Sequence, residues 1–367
     1  MTSVGTVGPS LSYAQILANA HKTSTSSGSA SSGKTGAGSS ADTVTLSDAA
    51  RAALAEKDFA TITTDARATL DALLAAAQVT SPLKDGALAV DLGKVDRREL
   101  YAMSINSNQK FTVDEQKAAA IELQNRFDHA LAGPTAVGRV TGSIKGLYTA
   151  ALAYFDGMGP EEKATAAYAD QRAALEQMLN KIEADPGTLP GAVANDPIDA
   201  YMQRLAAGET GGLRDIGSVA ADARATLDAL YRSSGGTRPD YSDFDSRSIA
   251  AVALNSGGRF SAAESRAASA EMRSRSASAL LQGLKSAGSS TDPGAFAQNV
   301  ISLYGAMSPE ERAAAGWSDN LYAAAVASYQ SASKLGSLLG AATGSAIWSG
   351  SASGSADTGS FSLMDYL

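Results

Sequence analysis

Cysteine is absent from all 367 residues. That removes disulfides, thiolate metal sites and cysteine nucleophiles together, and it leaves the redox compartment undetermined. Histidine occurs twice, as His21 and His129, and neither stands in a spacing that makes a metal site or a Ser–His–Asp triad. Aromatic residues make up only 6% of the chain. No apolar run approaches the roughly 18 residues that a membrane span needs. The first residues lack a basic stretch followed by an apolar one, so export through a cleaved Sec signal is not expected. Basic residues do not gather into a stripe, and the net charge is −8 with a pI near 4.9. A nucleic-acid binder must displace counterions with clustered Lys and Arg, so nucleic acid is excluded as an expected partner.

The composition that remains favours helix. Apolar residues reach 44%, much of it Ala, which loses no side-chain entropy on entering a helix. Alternating β-branched runs are nearly missing, so the expected fold class is all-α. The Ala and Gly bias, with Arg preferred over Lys, matches a GC-rich bacterial genome.

An internal repeat organises the chain. Asp65-Ala-Arg-Ala-Thr-Leu-Asp-Ala-Leu73 recurs letter for letter as Asp222 to Leu230. Asn106, Phe111 and Glu115 return as Asn255, Phe260 and Glu264, and Met158 to Lys163 returns as Met307 to Arg312. The offset falls from 157 to 149, which places about eight extra residues of the first copy in the loop 78–95, where insertions are tolerated. The expected organisation is an amphipathic segment and Ser/Gly-rich arm over 1–45, copy one over 46–184, a Pro/Gly linker over 185–197, copy two over 198–340, and a tail over 341–367. Helices in copy one are predicted near 47–57, 65–78, 96–105, 113–132, 139–157 and 160–183. Thr112-Val-Asp-Glu115 and Ser261-Ala-Ala-Glu264 read as capping boxes, with Phe111 and Phe260 as hydrophobic staples before them. Ser308-Pro-Glu-Glu311 combines a cap, a proline at the first helical position and acids in the first turn.

Several motifs imitate chemistry. Gly28 to Gly33-Lys34-Thr35 satisfies the P-loop pattern, but Ser/Gly/Thr residues on both sides supply neither the strand nor the helix that a phosphate cradle needs. Gly138, Gly142 and Gly146 form a small-residue ladder, read as tight packing inside the bundle, a flexible loop, or a dimerisation seam. Asp240, Asp243 and Asp245 place three carboxylates within six residues and could bind calcium, yet caps and turns account for them as well. Asn106-Ser-Asn108 has a trace of a calcium loop, with Lys110 at a ligand position. The pairs Glu161-Glu162 and Glu310-Glu311 are read as first-turn residues rather than as a general acid and base. Tyr154, Phe155, Tyr168, Tyr304, Trp317 and Tyr322 are read as core. The expected site is therefore none: no catalytic, cofactor-binding or metal-ligating residue, and no cofactor.

The ends carry signals of their own. Leu11 to Asn19 is amphipathic, and Phe361-Ser-Leu-Met-Asp-Tyr-Leu367 follows a Gly/Ser/Ala spacer. Asp42 to Arg51 resembles a stretch of uncharacterised helical proteins from GC-rich bacteria and is similar to a short motif of flagellar anti-sigma factors. It covers ten residues, and no function or site is carried over from it. The C-terminal heptapeptide is similar to the uncleaved signals of bacterial one-step secretion; the alternatives are a strap folding back on copy two and a tail without a role. The expected function is a non-enzymatic helical interaction protein, exported by a non-Sec route and associated with a cell surface or appendage, with a protein partner. The alternative is a cytoplasmic regulatory or scaffold protein.

Because no phosphate cradle is expected around Lys34, calorimetric titration with ATP and magnesium should give no heat of binding. Micromolar binding that is abolished by Lys34→Ala would overturn that reading of the motif.

Overall fold

The computed structural model describes residues 57–185, 190–209, 213–234 and 240–344, without the side chains of 234 and 338–344. The P-loop-like stretch, both terminal segments and the predicted helix before residue 57 lie outside the described residues. Within them the chain is mostly helical and separates into two compact units, 57–123 and 124–344.

The first unit begins with α1 (Phe59–Ala77). It starts six residues earlier than predicted because Asp58 accepts the backbone N–H groups of Ala60 and Thr61. The Thr63 and Thr64 hydroxyls bond back to the carbonyls of Phe59 and Ala60, which reconciles these residues with a helix. A hairpin follows, β1 (Leu83–Lys84) against β2 (Ala87–Leu88) in antiparallel register, with Leu83 opposite Leu88. The turn residues Asp85 and Gly86 both take positive φ, 52° and 82°, as a two-residue hairpin loop requires. This hairpin sits inside the 78–95 insertion. Next come α2 (Arg97–Ser104), a 3-10 turn (Ser107–Gln109) and the start of α3 (Val113–Thr141). The core of this unit gathers Leu70, Leu92, Leu100, Met103 and Phe111.

The second unit takes the remainder of α3, then α4 (Lys145–Asp156), α5 (Pro160–Lys163), α6 (Ala166–Ala184) and α7 (Pro197–Ala207). It continues through α8 (Ile216–Ser234), α9 (Ser246–Ala253), a second 3-10 turn (Ser256–Gly258), α10 (Ala262–Gly288), α11 (Ala295–Ala306), α12 (Pro309–Ala315) and α13 (Asp319–Gly344). Three further predicted boundaries are corrected, one of them the start of the helix predicted over 139–157, which begins only at Lys145 because 139–141 still belong to α3. α3 runs through Pro134 to 141 instead of stopping at 132, although an interior proline removes one backbone bond and costs about 3 kcal/mol. The segment predicted as one helix over 160–183 is two, because Thr165 accepts the N–H of Tyr168 and starts a new helix.

The reason α3 survives its proline is the contact it makes. A Cβ added to Gly133 would come within 2.5 Å of the Ser302 hydroxyl and 2.8 Å of the Ser302 carbonyl oxygen. One added to Gly305 would fall 2.4 Å from the Cβ of Ala136. The α3–α11 crossing is thus a glycine-to-backbone approach that no other residue permits, and the tertiary contact overrides local propensity. The predicted ladder of Gly138, Gly142 and Gly146 is not such a seam. Gly142 ends α3 at φ 74°, with its N–H bonded to the Gly138 carbonyl, and Gly146 faces open space in α4. The aromatic residues read as core do pair: Phe127 with Tyr154 at 5.1 Å, Phe155 with Tyr168 at 5.9 Å, and Tyr304 with Tyr322 at 4.8 Å between ring centres. No helix among the described residues is long and apolar enough to cross a membrane.

Gly305→Ala should lower unfolding stability by about 1–3 kcal/mol, the usual cost of overpacking. Gly146→Ala should leave stability unchanged or raise it by up to about 1 kcal/mol through helix propensity. Urea unfolding of the two variants separates the sites; equal effects would show that the close crossing is unimportant.

Candidate functional site

The most elaborate polar constellation is built around an arginine of the nine-residue repeat, and it occurs twice. In the first unit, Arg67 donates through Nη1 to Glu115 at 2.8 Å and through Nη2 to Asp71 at 2.7 Å. Its guanidinium lies 5.4 Å from the ring centre of Phe111. In the second unit, Arg224 donates to Glu264 at 2.8 Å, pairs with Asp228 at 2.8 Å and lies 5.7 Å from the ring of Phe260. The glutamates are the N3 residues of two capping boxes. Glu115 accepts the Thr112 N–H at 2.7 Å while Thr112 Oγ1 accepts the Glu115 N–H at 3.3 Å. Glu264 and Ser261 reproduce this at 2.7 and 3.3 Å. One carboxylate therefore caps a helix and holds a guanidinium at once.

Phe111 and Phe260 were expected as staples, and the structure corrects this. The residues four positions into their helices are Gln116 and Ser265, which offer no apolar partner. Both rings are instead buried in the cores, 4% and 5% exposed, beneath the arginines. The turns before them are held by Asn106 and Asn255, whose Oδ1 atoms accept the N–H of Phe111 and Phe260 at 2.9 Å each. Asn106 is thus committed to its own turn. Both asparagines adopt left-handed backbone, φ 53° and 50°, which asparagine tolerates better than most residues. Directly before them Ile105 and Leu254 stand 49% and 43% exposed.

Five of the nine identities now have individual reasons. Asp65 and Asp222 pair with Lys57 and Arg214, each eight residues upstream, at 2.7 and 2.6 Å. Ala66 and Ala223, with Leu70 and Leu227, are buried at 2% exposure or less. Sequence reasoning found the repeat but not this cluster; the signal was Arg67 recurring together with Phe111 and Glu115.

Burial alone would raise the carboxyl of Glu264. The Ser261 N–H, the Arg224 guanidinium and the Ser261 hydroxyl outweigh that and hold it down, at about 2. Glu115 is lowered by the same balance of burial against Arg67 and Thr112. A general acid or base works near its operating pH, so these carboxylates act as fixed anions. Beside Glu264 lies a shallow cleft of about 480 Å³, lined by Tyr231, Ser261, Glu264, Arg266 and Ala267.

The other sequence candidates are placed as follows. Asp240 accepts the Ser242 N–H and Asp245 accepts the Ser248 N–H as N-cap of α9. Among the described residues no group of three or more His, Asp and Glu could hold a metal ion. Glu162 accepts the Gly159 N–H, and Glu311 accepts the Ser308 N–H at 2.7 Å. The burial of Glu311 pushes its carboxyl up, against those Ser308 bonds. His129 lies exposed on α3.

Because Glu264 is depressed in the folded state, it contributes stability that is complete above its ordinary value of about 4.5. That contribution is lost as the pH falls from there towards 2. Glu264→Gln should lower stability at pH 7 and flatten the loss between pH 5 and pH 2. A variant whose acid profile parallels the parent's would show that the Arg224–Glu264 pair is energetically silent.

Comparison with known proteins brings no relative to this geometry: no family model, no curated protein and no solved structure matches the chain.

Proposed function

We propose that the chain is a non-enzymatic tandem-repeat interaction protein, two diverged copies of one helical unit that present the same short recognition turn to a protein partner. Support for the repeat comes from element lengths. α1 and α8 have 19 residues each, α2 and α9 have eight, and α4 and α11 have twelve. The recurring Arg–Glu–Phe clasp adds residue-level support.

The observation that carries the binding role is the recurrence of one exposed apolar side chain at one place. Ile105 and Leu254 each follow a short buried helix, precede a left-handed asparagine and stand in water. An isolated exposed leucine needs no explanation. The same exposure held twice by the same rigid turn is what a repeated contact would leave. Two such turns on one chain give a bivalent ligand, whose avidity exceeds either single contact without any new one. Export to a surface or appendage is the setting this reading favours, and it rests on the C-terminal heptapeptide Phe361 to Leu367, outside the described residues. A cytoplasmic scaffold would use the same turns.

Pull-down from extracts of the native cells, with the full chain as bait, tests the binding role. One specific protein should be retained. Ile105→Asp and Leu254→Asp should each weaken it about 10–100-fold, and together abolish it, because either change makes a bivalent ligand monovalent. Retention that is indifferent to both substitutions ends this reading. Deleting 361–367 should trap the protein inside cells without changing its melting temperature; a truncation that melts lower, with a parent chain that never leaves the cytosol, ends the export setting.

A further inference from the structure

In the second unit α7 lies against α3 and α4, and three polar contacts define how. Arg204 donates to Asp128 at 2.7 Å, the Tyr201 hydroxyl meets Thr135 Oγ1 at 3.0 Å, and the Tyr148 hydroxyl donates to Asp196 at 2.6 Å. Tyr201 is 2% exposed and Asp128 4%. The 149-residue offset maps this receiving face onto α10 and α11. Asp128 becomes Ala277, Thr135 becomes Leu284 and Tyr148 becomes Ala297. There the α10 part of the face is uncovered: Ala277 is exposed, Leu281 is 58% exposed and Leu284 43%. Two leucines and an alanine at positions i, i+4 and i+7 form one apolar stripe on a helix.

The sequence contains a second version of α7. Pro9, Tyr13, Gln15, Leu17 and Ala18 repeat Pro197, Tyr201, Gln203, Leu205 and Ala206 at identical spacing. Two of the differences fall where the receiving faces differ. Arg204, the partner of Asp128, is replaced by Ile16, and Asp128 itself by Ala277. Asp196, the partner of Tyr148, is replaced by Gly8, and Tyr148 by Ala297. Two of the three polar pairs have lost both members together; in the third Tyr13 keeps the tyrosine while Thr135 gives way to Leu284. An unpaired buried charge costs several kcal/mol, whereas removing both partners is nearly neutral. The match departs at Ser10, which stands where Ile198 is buried, and at Leu11, Ser12, Ala14, Asn19 and Ala20, which stand for Asp199, Ala200, Met202, Ala207 and Gly208.

We propose that residues 9–20 of the same chain dock as a helix on the Ala277–Leu281–Leu284 stripe of α10, as α7 docks on α3. The inference rests on the repeat reading above. The intervening residues 21–46, ahead of the predicted helix 47–57, are rich in Ser and Gly, and a Ser/Gly-rich tether of that length has a root-mean-square span of about 28 Å. Tethering of this kind gives millimolar effective concentration, enough for a small apolar contact that free peptide would not hold.

Because the chain has no cysteine, disulfide trapping in the full-length protein is clean. Tyr13→Cys with Leu284→Cys reproduces the Tyr201–Thr135 contact, and Tyr13→Cys with Ser286→Cys places the second thiol on the far side of α10. The first pair should close at least tenfold faster, within the monomer. Equal rates, or bonds formed only between chains, overturn the proposal, the latter by assigning the stripe to a second copy. Independently, Ile16→Arg and Ala277→Asp should each lower the melting temperature, and the double variant should recover it by recreating the Asp128–Arg204 pair. Absence of recovery, with trapping no faster than the control, sinks the docking. The repeat reading has its own test, since α1–α3 and α8–α10 superpose or fail to superpose whatever residues 9–20 do.

Discussion

A guanidinium held between a capping carboxylate and an aromatic ring is the contact from which the rest of each repeat is hung. Arg67 reaches from α1 to the first turn of α3, and Arg224 from α8 to the first turn of α10. Four requirements meet at each point. The helix start needs its N–H groups satisfied, the carboxylate needs a countercharge once buried, the arginine needs acceptors for its two Nη groups, and the phenylalanine needs cover. Removing the glutamate leaves the helix start and the arginine each short of an acceptor. That convergence gives the residues forming the clasp a shared reason to recur at both places in the sequence.

Around the clasp the packing relies on small residues. With aromatics at 6%, large side chains are too few to fill wide gaps between helices, so helices approach closely instead. Ala66, Ala119, Ala220 and Ala268 are wholly buried, and at the α3–α11 crossing even alanine is too large on one side. Close approach trades hydrophobic area per residue for dispersion contacts and shape fit. It also makes the fold sensitive to single methyl groups at Gly133 and Gly305.

Repeats and compact units partition this chain differently. The stretch identical in sequence starts at 65 and 222, whereas compactness divides the described chain between 123 and 124, inside α3. Helix α7 lies beyond the Pro/Gly stretch at 185–197, yet its Ile198 and Tyr201 belong to the core formed by Phe127, Leu131 and Tyr148. Sequence identity reads which residues recur; burial reads which apolar faces found each other.

By itself the sequence determined what depends on neighbours a few residues apart. The three capping boxes, the proline at the start of α12, the left-handed asparagines and the helical class all follow from backbone N–H groups finding acceptors within one turn. The Asp85-Gly86 hairpin carries an equally local signal, an Asp-Gly pair between short apolar residues, within a chain whose composition otherwise points to helix. Tertiary structure decided the rest. Pro134 stays inside a helix because Gly133 and Ala136 are held against α11, and among the described residues Gly138 and Gly142 take no part in such a crossing, Gly138 facing the Ser143 carbonyl and Gly142 open space. Arg67 and Glu115 are 48 residues apart, and nothing in their local sequence announces that they touch. Such contacts are set by which helix faces bury together, a property of the whole chain that no local window contains.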